Sequence, residues 1–156
     1  MFVHYHTEVP IPMAVVERGL DNLRGDLESW ADVAYRHGEG LRAKIGPGED
    51  GLAKEVRLDL GTAEIHRSGL IYPLKWSATG ARGLFPKMDA DLILSHAGKE
   101  KTKISFEGTY EPPLGAVGQV VDRILLRRVA ESTVKTWVDA LARSLVDGKP
   151  FSPAEA

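Results

Sequence analysis

The chain has no cysteine, which excludes disulfides, thiolate metal sites and thiol nucleophiles together. It has no basic cluster either. Its 20 Lys and Arg and 22 Asp and Glu are interspersed and leave a net charge of −2. The cation density that phosphate contacts need is missing, so no nucleic-acid or anionic-membrane partner is expected. No apolar run approaches the ~18 residues of a membrane span. The opening residues 1–6 lack a cationic segment and a continuous apolar stretch, so no signal peptide is expected, and a cytoplasmic protein is. Reactive motifs are scarce. No serine sits in a Gly-Xaa-Ser-Xaa-Gly elbow. The loop from Gly46 to Gly51 lacks the Lys-Ser/Thr pair of a phosphate loop and enters a strand rather than a helix. His4 and His6 share one strand face, but no third ligand at a recognisable spacing joins them, so neither metal nor cofactor is expected.

What remains describes an ordinary globular domain. A chain of 156 residues buries roughly 68–70% of its unfolded surface without covalent staples. Alternation of period two marks a strand over residues 2–9, with Val3, Tyr5 and Thr7 on one side. Pro10 and Pro12 end it and open a helical region, because proline lacks the ladder donor but suits a first helical turn. There Val15, Val16, Leu20, Leu23, Leu27, Trp30 and Val33 recur at helical spacing, and Gly19 and Gly25 are expected to divide the region into two short helices. From Gly40 to Tyr110 the period is two again. Leu41, Ala43 and Ile45 form one apolar face, and Val56, Leu58 and Leu60 another. A short strand near 62–67 follows. Leu70, Tyr72, Leu74, Trp76 and Ala78 come next, then Met88, Ala90, Leu92 and Leu94, then Thr102, Ile104, Phe106, Gly108 and Tyr110. Repeated reversals predict an antiparallel meander with one buried face. Residues 116–146 read as about eight helical turns, and 147–156 as a frayed tail.

This order resembles the helix-grip superfamily, which includes START lipid-transfer domains, plant PR-10 proteins and aromatic polyketide cyclases. The opening Phe2-Val3-His4-Tyr5-His6-Thr7-Glu8-Val9-Pro10 is similar to the first strand and entry proline of several members. Gly108-Thr109-Tyr110-Glu111-Pro112-Pro113-Leu114-Gly115 resembles the elbow before the last helix in bacterial members labelled polyketide cyclase or dehydrase-like. The resemblance implies an α+β fold in which a curved seven-stranded antiparallel sheet wraps a long C-terminal helix, as one domain over residues 1–146. It also implies a cavity between sheet and helix, open to hydrophobic or amphipathic small molecules.

The candidate ligand-binding residues follow from the patterns. Tyr72, Trp76, Phe106 and Tyr110 share the inner face of the late strands, where they either line a pocket or pack as core. Phe85, in the apolar tip Leu84-Phe85-Pro86, is a candidate gate or a tucked loop residue. On the last helix Val120, Ile124, Val134, Val138, Leu141 and Leu145 fall on one stripe, and Arg127 and Glu131 fall on it too. Either the helix middle faces a cavity and Arg127 offers its charged fork to a ligand, or the buried face rotates and the two are a solvated pair. His66 beside Glu64 is a weaker acid–base candidate. The leading expectation is binding, for transport or sequestration, of a hydrophobic small molecule, with no catalytic residue assigned. The alternatives are a polyketide cyclase or dehydratase working by confinement in the same cavity, and a protein-interaction module with a filled core. Nothing in the residues specifies an oligomeric state.

Overall fold

In a computed structural model the structure describes residues 1–31, 33–34, 56–78, 87–111 and 123–149. The expected strand at 41–45, the loop 46–51, Phe85 with its apolar tip, the elbow from 112 onward and residues 116–122 lie outside them.

The chain is α+β. Strand β1 (Phe2–Val9) is followed by helix α1 (Met13–Leu23) and by α2, helical at residues 27–31 and 33–34. Strands β2 (Val56–Leu60), β3 (Glu64–His66), β4 (Gly69–Ala78), β5 (Lys87–His96) and β6 (Thr102–Glu111) come next, and helix α3 (Arg123–Asp147) closes the order. The six described strands form one curved antiparallel sheet in the order β1-β6-β5-β4-β2, with β3 also on β4. The seventh expected strand is the one outside the described residues. This is the helix-grip arrangement the residues predict.

Register fixes which side chains meet. Val3 pairs with Gly108, Tyr5 with Phe106, and Phe106 with Leu92, so Tyr5, Phe106, Leu92 and Tyr72 form one inward row across four strands. Tyr110, Met88, Trp76 and Leu58 form another. The opposite faces carry His4, Glu107, Asp91, Asp89 and Lys75, which are exposed. A one-residue slip would exchange these sets, so burial of one face holds the register.

Pro12 is the N-cap of α1 rather than its first residue, and its carbonyl accepts from the N–H groups of Val15 and Val16 at 3.0 and 3.1 Å. Gly19 does not divide the helices as expected. It lies inside α1 against α3, where a Cβ would stand 2.7 Å from Leu145 Cδ2, so the glycine permits close approach. The break falls at the second expected glycine, Gly25, in the turn Arg24–Asp26. Arg24 pins that turn to the sheet: its guanidinium donates to the carbonyls of Leu60 at 2.9 Å and Gly61 at 3.3 Å. Val15 is exposed, unlike the rest of the expected apolar stripe of α1.

α3 packs chiefly along β1 and also on β6 and α1. It ends at Gly148, whose φ of +62° suits glycine and whose N–H donates to Ser144 O at 2.9 Å. The inner side of α3 follows the expected stripe in its second half, at Val134, Val138, Leu141 and Leu145, and departs from it in the first. Ile124 is 62% exposed, while Leu126, Val129, Ala130, Thr133, Val134, Trp137, Val138, Leu141 and Leu145 are buried.

At the centre stands Trp137, with no exposed surface. Its ring meets Trp76 edge-on at 6.0 Å between centroids and Phe106 at 6.1 Å. Its indole N–H donates to Leu27 O at 3.2 Å, which ties α2 to α3. Removing it empties the middle of the core, so Trp137→Ala is expected to lower unfolding free energy by about 3–5 kcal/mol. Trp137→Phe keeps most of the apolar contact but leaves Leu27 O without its donor, and is expected to cost about 1–3 kcal/mol. Urea denaturation of both variants checks the order.

Candidate functional site

The side chains that α3 and the late strands bring together form one apolar cleft. Trp76 from β4, Lys87 and Met88 from β5, and Tyr110 from β6 make one wall; Val129, Ala130 and Thr133 of α3 make the other. The space between them is about 300 Å³ including its open mouth, and the part that admits the centre of a water-sized sphere is about 20 Å³. That is room for about one ordered water. The described residues of sheet and helix thus line a small cleft at this place. The rings of Trp137, Trp76 and Phe106 fill the middle, and the cleft occupies the end nearer the N-terminus of α3.

The expected aromatics divide accordingly. Trp76 and Tyr110 line the cleft. Phe106 is core beneath Trp137. Tyr72 is buried on the α1 side, with the Arg24 guanidinium 6.0 Å from its ring centre. Burial first, then the charges of Glu17 and Asp21, push the Tyr72 hydroxyl pKa up against the opposing pull of Arg24.

Arg127 Nε donates to Glu131 Oε1 at 2.7 Å, the side chains are 64% and 45% exposed, and neither is among the residues that line the cleft, which is the solvated pair of the two expected arrangements. Leucine, valine and alanine flank the helix on both sides of the apolar stripe, so two faces fit the spacing. The sheet takes the one centred on Ala130, Thr133 and Trp137.

Sequence spacing gave no reason to select Thr133, a polar residue that is nonetheless buried. Its hydroxyl donates to Val129 O at 2.9 Å, so the donor is satisfied within the helix and an oxygen lone pair remains to accept. Trp76 is 4% exposed, and its indole N–H has no hydrogen-bond partner among the described residues. An unpaired buried N–H costs about 1–3 kcal/mol.

A second polar cluster lies where β1 meets α3. Tyr5 Oη donates to Asp139 Oδ1 at 2.7 Å; Lys135 pairs with Asp139 Oδ2 and stands 5.3 Å from the Tyr5 ring centre. Burial first, then the bond to Asp139, raise the Tyr5 pKa. The bond to Asp139 first raises that of Lys135, with burial opposing it. A phenol held in its protonated form is a poor base, so this cluster reads as a latch.

The remaining candidates are superficial. His66 Nε2 and Glu64 Oε2 are 3.4 Å apart on an exposed strand. His4 and His6 lie on the outer face, with His4 Nε2 3.7 Å from Glu107 Oε1. No group of metal-ligating side chains assembles among the described residues. A broader trough of about 410 Å³ runs over the outer face beside Phe2, Lys75, Asp89, Asp91 and Glu107. Its walls mix Phe2 and Pro73 with charged side chains, and it lies open to solvent.

No family model matches the chain. No curated protein matches it either. Solved structures do resemble it. A hypothetical protein of Helicobacter pylori has a TM-score of 0.49 at 9% identity, over 92% of this chain and 86% of its own. A protein of Thermus thermophilus has 0.49 at 15% identity, over 95% and 99%. The Zhui aromatase/cyclase of a Streptomyces species has 0.43 at 12% identity, over 95% and 92%. Likeness at this level assigns no residue a role, and the chemistry of the cleft follows from its own side chains. No helix among the described residues is long and apolar enough to cross a membrane.

Two outcomes follow from the geometry. Folding raises the pKa values of Tyr5, Tyr72 and Lys135, so the native state holds these protons more tightly than the unfolded chain. Their contribution is complete below about pH 10, where the unfolded groups begin to titrate, and is lost as pH rises through the native values. Denaturant midpoints are expected to fall above that pH, and less steeply in Tyr5→Phe. Arg127→Ala is expected to change stability by less than about 0.5 kcal/mol in the same assay.

Proposed function

We propose that the protein binds a small, flat, hydrophobic molecule in the cleft between strands β4–β6 and the first half of α3. The observation that carries this reading is the wall itself: Trp76, Met88, Tyr110, Val129 and Ala130 converge from a sheet and a helix, with polar atoms confined to a few positions. Small-molecule sites have this composition, and since the closed part of the cleft holds about one water, the body of a ligand lies in the open mouth that makes up most of its roughly 300 Å³. A small flat ring system that lies across this mouth suits it better than a sterol or a long acyl chain, which need an enclosed hollow. Burying ligand surface there supplies about 25 cal/mol per Å². Trp76 offers a face or edge for aromatic stacking, and Met88 adapts its flexible thioether to the ligand outline.

Binding ranks ahead of cyclisation in this proposal. The polar groups of the wall are an ammonium at Lys87, hydroxyls at Tyr110 and Thr133 and an indole N–H, which suit orientation of a ligand by hydrogen bonding. Of the residues expected to bind ligand, Trp76 and Tyr110 serve directly. Tyr72 and Phe106 support the wall from the core, and Arg127 with Glu131 stands outside it.

Naphthalene is a suitable probe, followed by isothermal titration calorimetry or quenching of tryptophan emission. Ala130→Trp places an indole in the cleft and is expected to weaken binding at least about tenfold, at an overpacking cost of about 1–3 kcal/mol. Arg127→Ala is expected to bind as the parent does. Undiminished binding by a folded Ala130→Trp variant would move the site elsewhere.

A further inference from the structure

We infer that the cleft selects ligands bearing a hydroxyl group, with Trp76 donating to the hydroxyl oxygen and Thr133 accepting its proton. The inference rests on the proposed binding at this cleft and specifies the chemistry read there. Two polar groups on facing walls carry it. Trp76 is 4% exposed, lines the cleft and has no acceptor for its indole N–H among the described residues. A tryptophan nitrogen can only donate, so the missing partner is an acceptor.

Thr133 complements it. The hydroxyl proton is committed to Val129 O at 2.9 Å, and the side chain is buried on the opposite wall of the same cleft. What it offers the cleft is a lone pair, so its missing partner is a donor. One O–H group satisfies both, accepting from the indole and donating to threonine. A water does so as well, and the cleft's volume of about 20 Å³ for water-sized centres suits a single one. An alcohol or phenol replaces that water with an oxygen of the same bonding pattern while its apolar body covers Met88, Val129 and Ala130. An ether reproduces only the acceptor half, and a hydrocarbon neither.

This ranking gives the test. Dissociation constants for 2-naphthol, 2-methoxynaphthalene and naphthalene, measured at neutral pH on the full chain, are expected to rise in that order by about two- to tenfold per lost hydrogen bond. Thr133→Val, which keeps the shape, is expected to bring 2-naphthol to the level of the ether. Trp76→Phe is expected to bring the ether to the level of the hydrocarbon. The Trp76 indole N–H resonance, assigned by its loss in Trp76→Phe, is expected to move downfield with naphthol and little with naphthalene. If all three probes bind alike, the hydroxyl selection is overturned while binding at the cleft stands. If none binds, both fall.

Discussion

The edge-on contact of Trp137 with Trp76 and Phe106 is the constraint from which the rest of this architecture follows. An indole at the middle of the C-terminal helix reaches across the sheet, and aromatic edges and faces set its orientation. Its N–H then has one place to go, the carbonyl of Leu27. Sheet, second helix and last helix thus share a single buried ring. Because interiors are close-packed, the position of that ring dictates where any space can remain. Among the described residues space remains beyond it, toward the start of α3, where Ala130 and Thr133 face Met88 and Tyr110 across the cleft.

The sheet grips an aromatic plug, and the candidate site is what the plug leaves over. Its small size and its polar pair then matter more than its hydrophobicity. Apolar area gives affinity to any greasy compound, whereas a buried indole N–H with no acceptor among the described residues penalises ligands that fail to supply one.

The strands were legible because period two is hard to mistake when one face is dry: Tyr72, Leu74 and Trp76 alternate with Pro73 and Lys75, and the register places each as the alternation predicts. The late position of α3 and the inward set Trp76, Phe106 and Tyr110 were legible for the same reason. The helix face was not. Leu126, Val129 and Ala130 lie to one side of a stripe through Ile124 and Arg127, and apolar spacing alone fits both. Two buried hydroxyl residues, Thr133 and Ser144, disguise the true face further. Thr133 shows how such residues enter a core: a bond back to its own helix satisfies the donor, and an apolar count scores it as solvent. Trp76 was legible as an inward aromatic, but not that its indole N–H lacks an acceptor among the described residues, which is a property of surroundings, and surroundings are not written in spacing.

The latch of Tyr5, Asp139 and Lys135 carries one more consequence. Among the described residues β1 has a hydrogen-bonded neighbour on one side only, β6. A strand left open in that way is a template on which another molecule can add its own backbone. Here α3 lies along β1, its lysine stationed over the tyrosine ring, and Pro10 follows directly at the strand's end. Among the described residues the last helix therefore covers the margin that β1 leaves unpaired, and loosening it uncovers a strand edge on which another chain can pair.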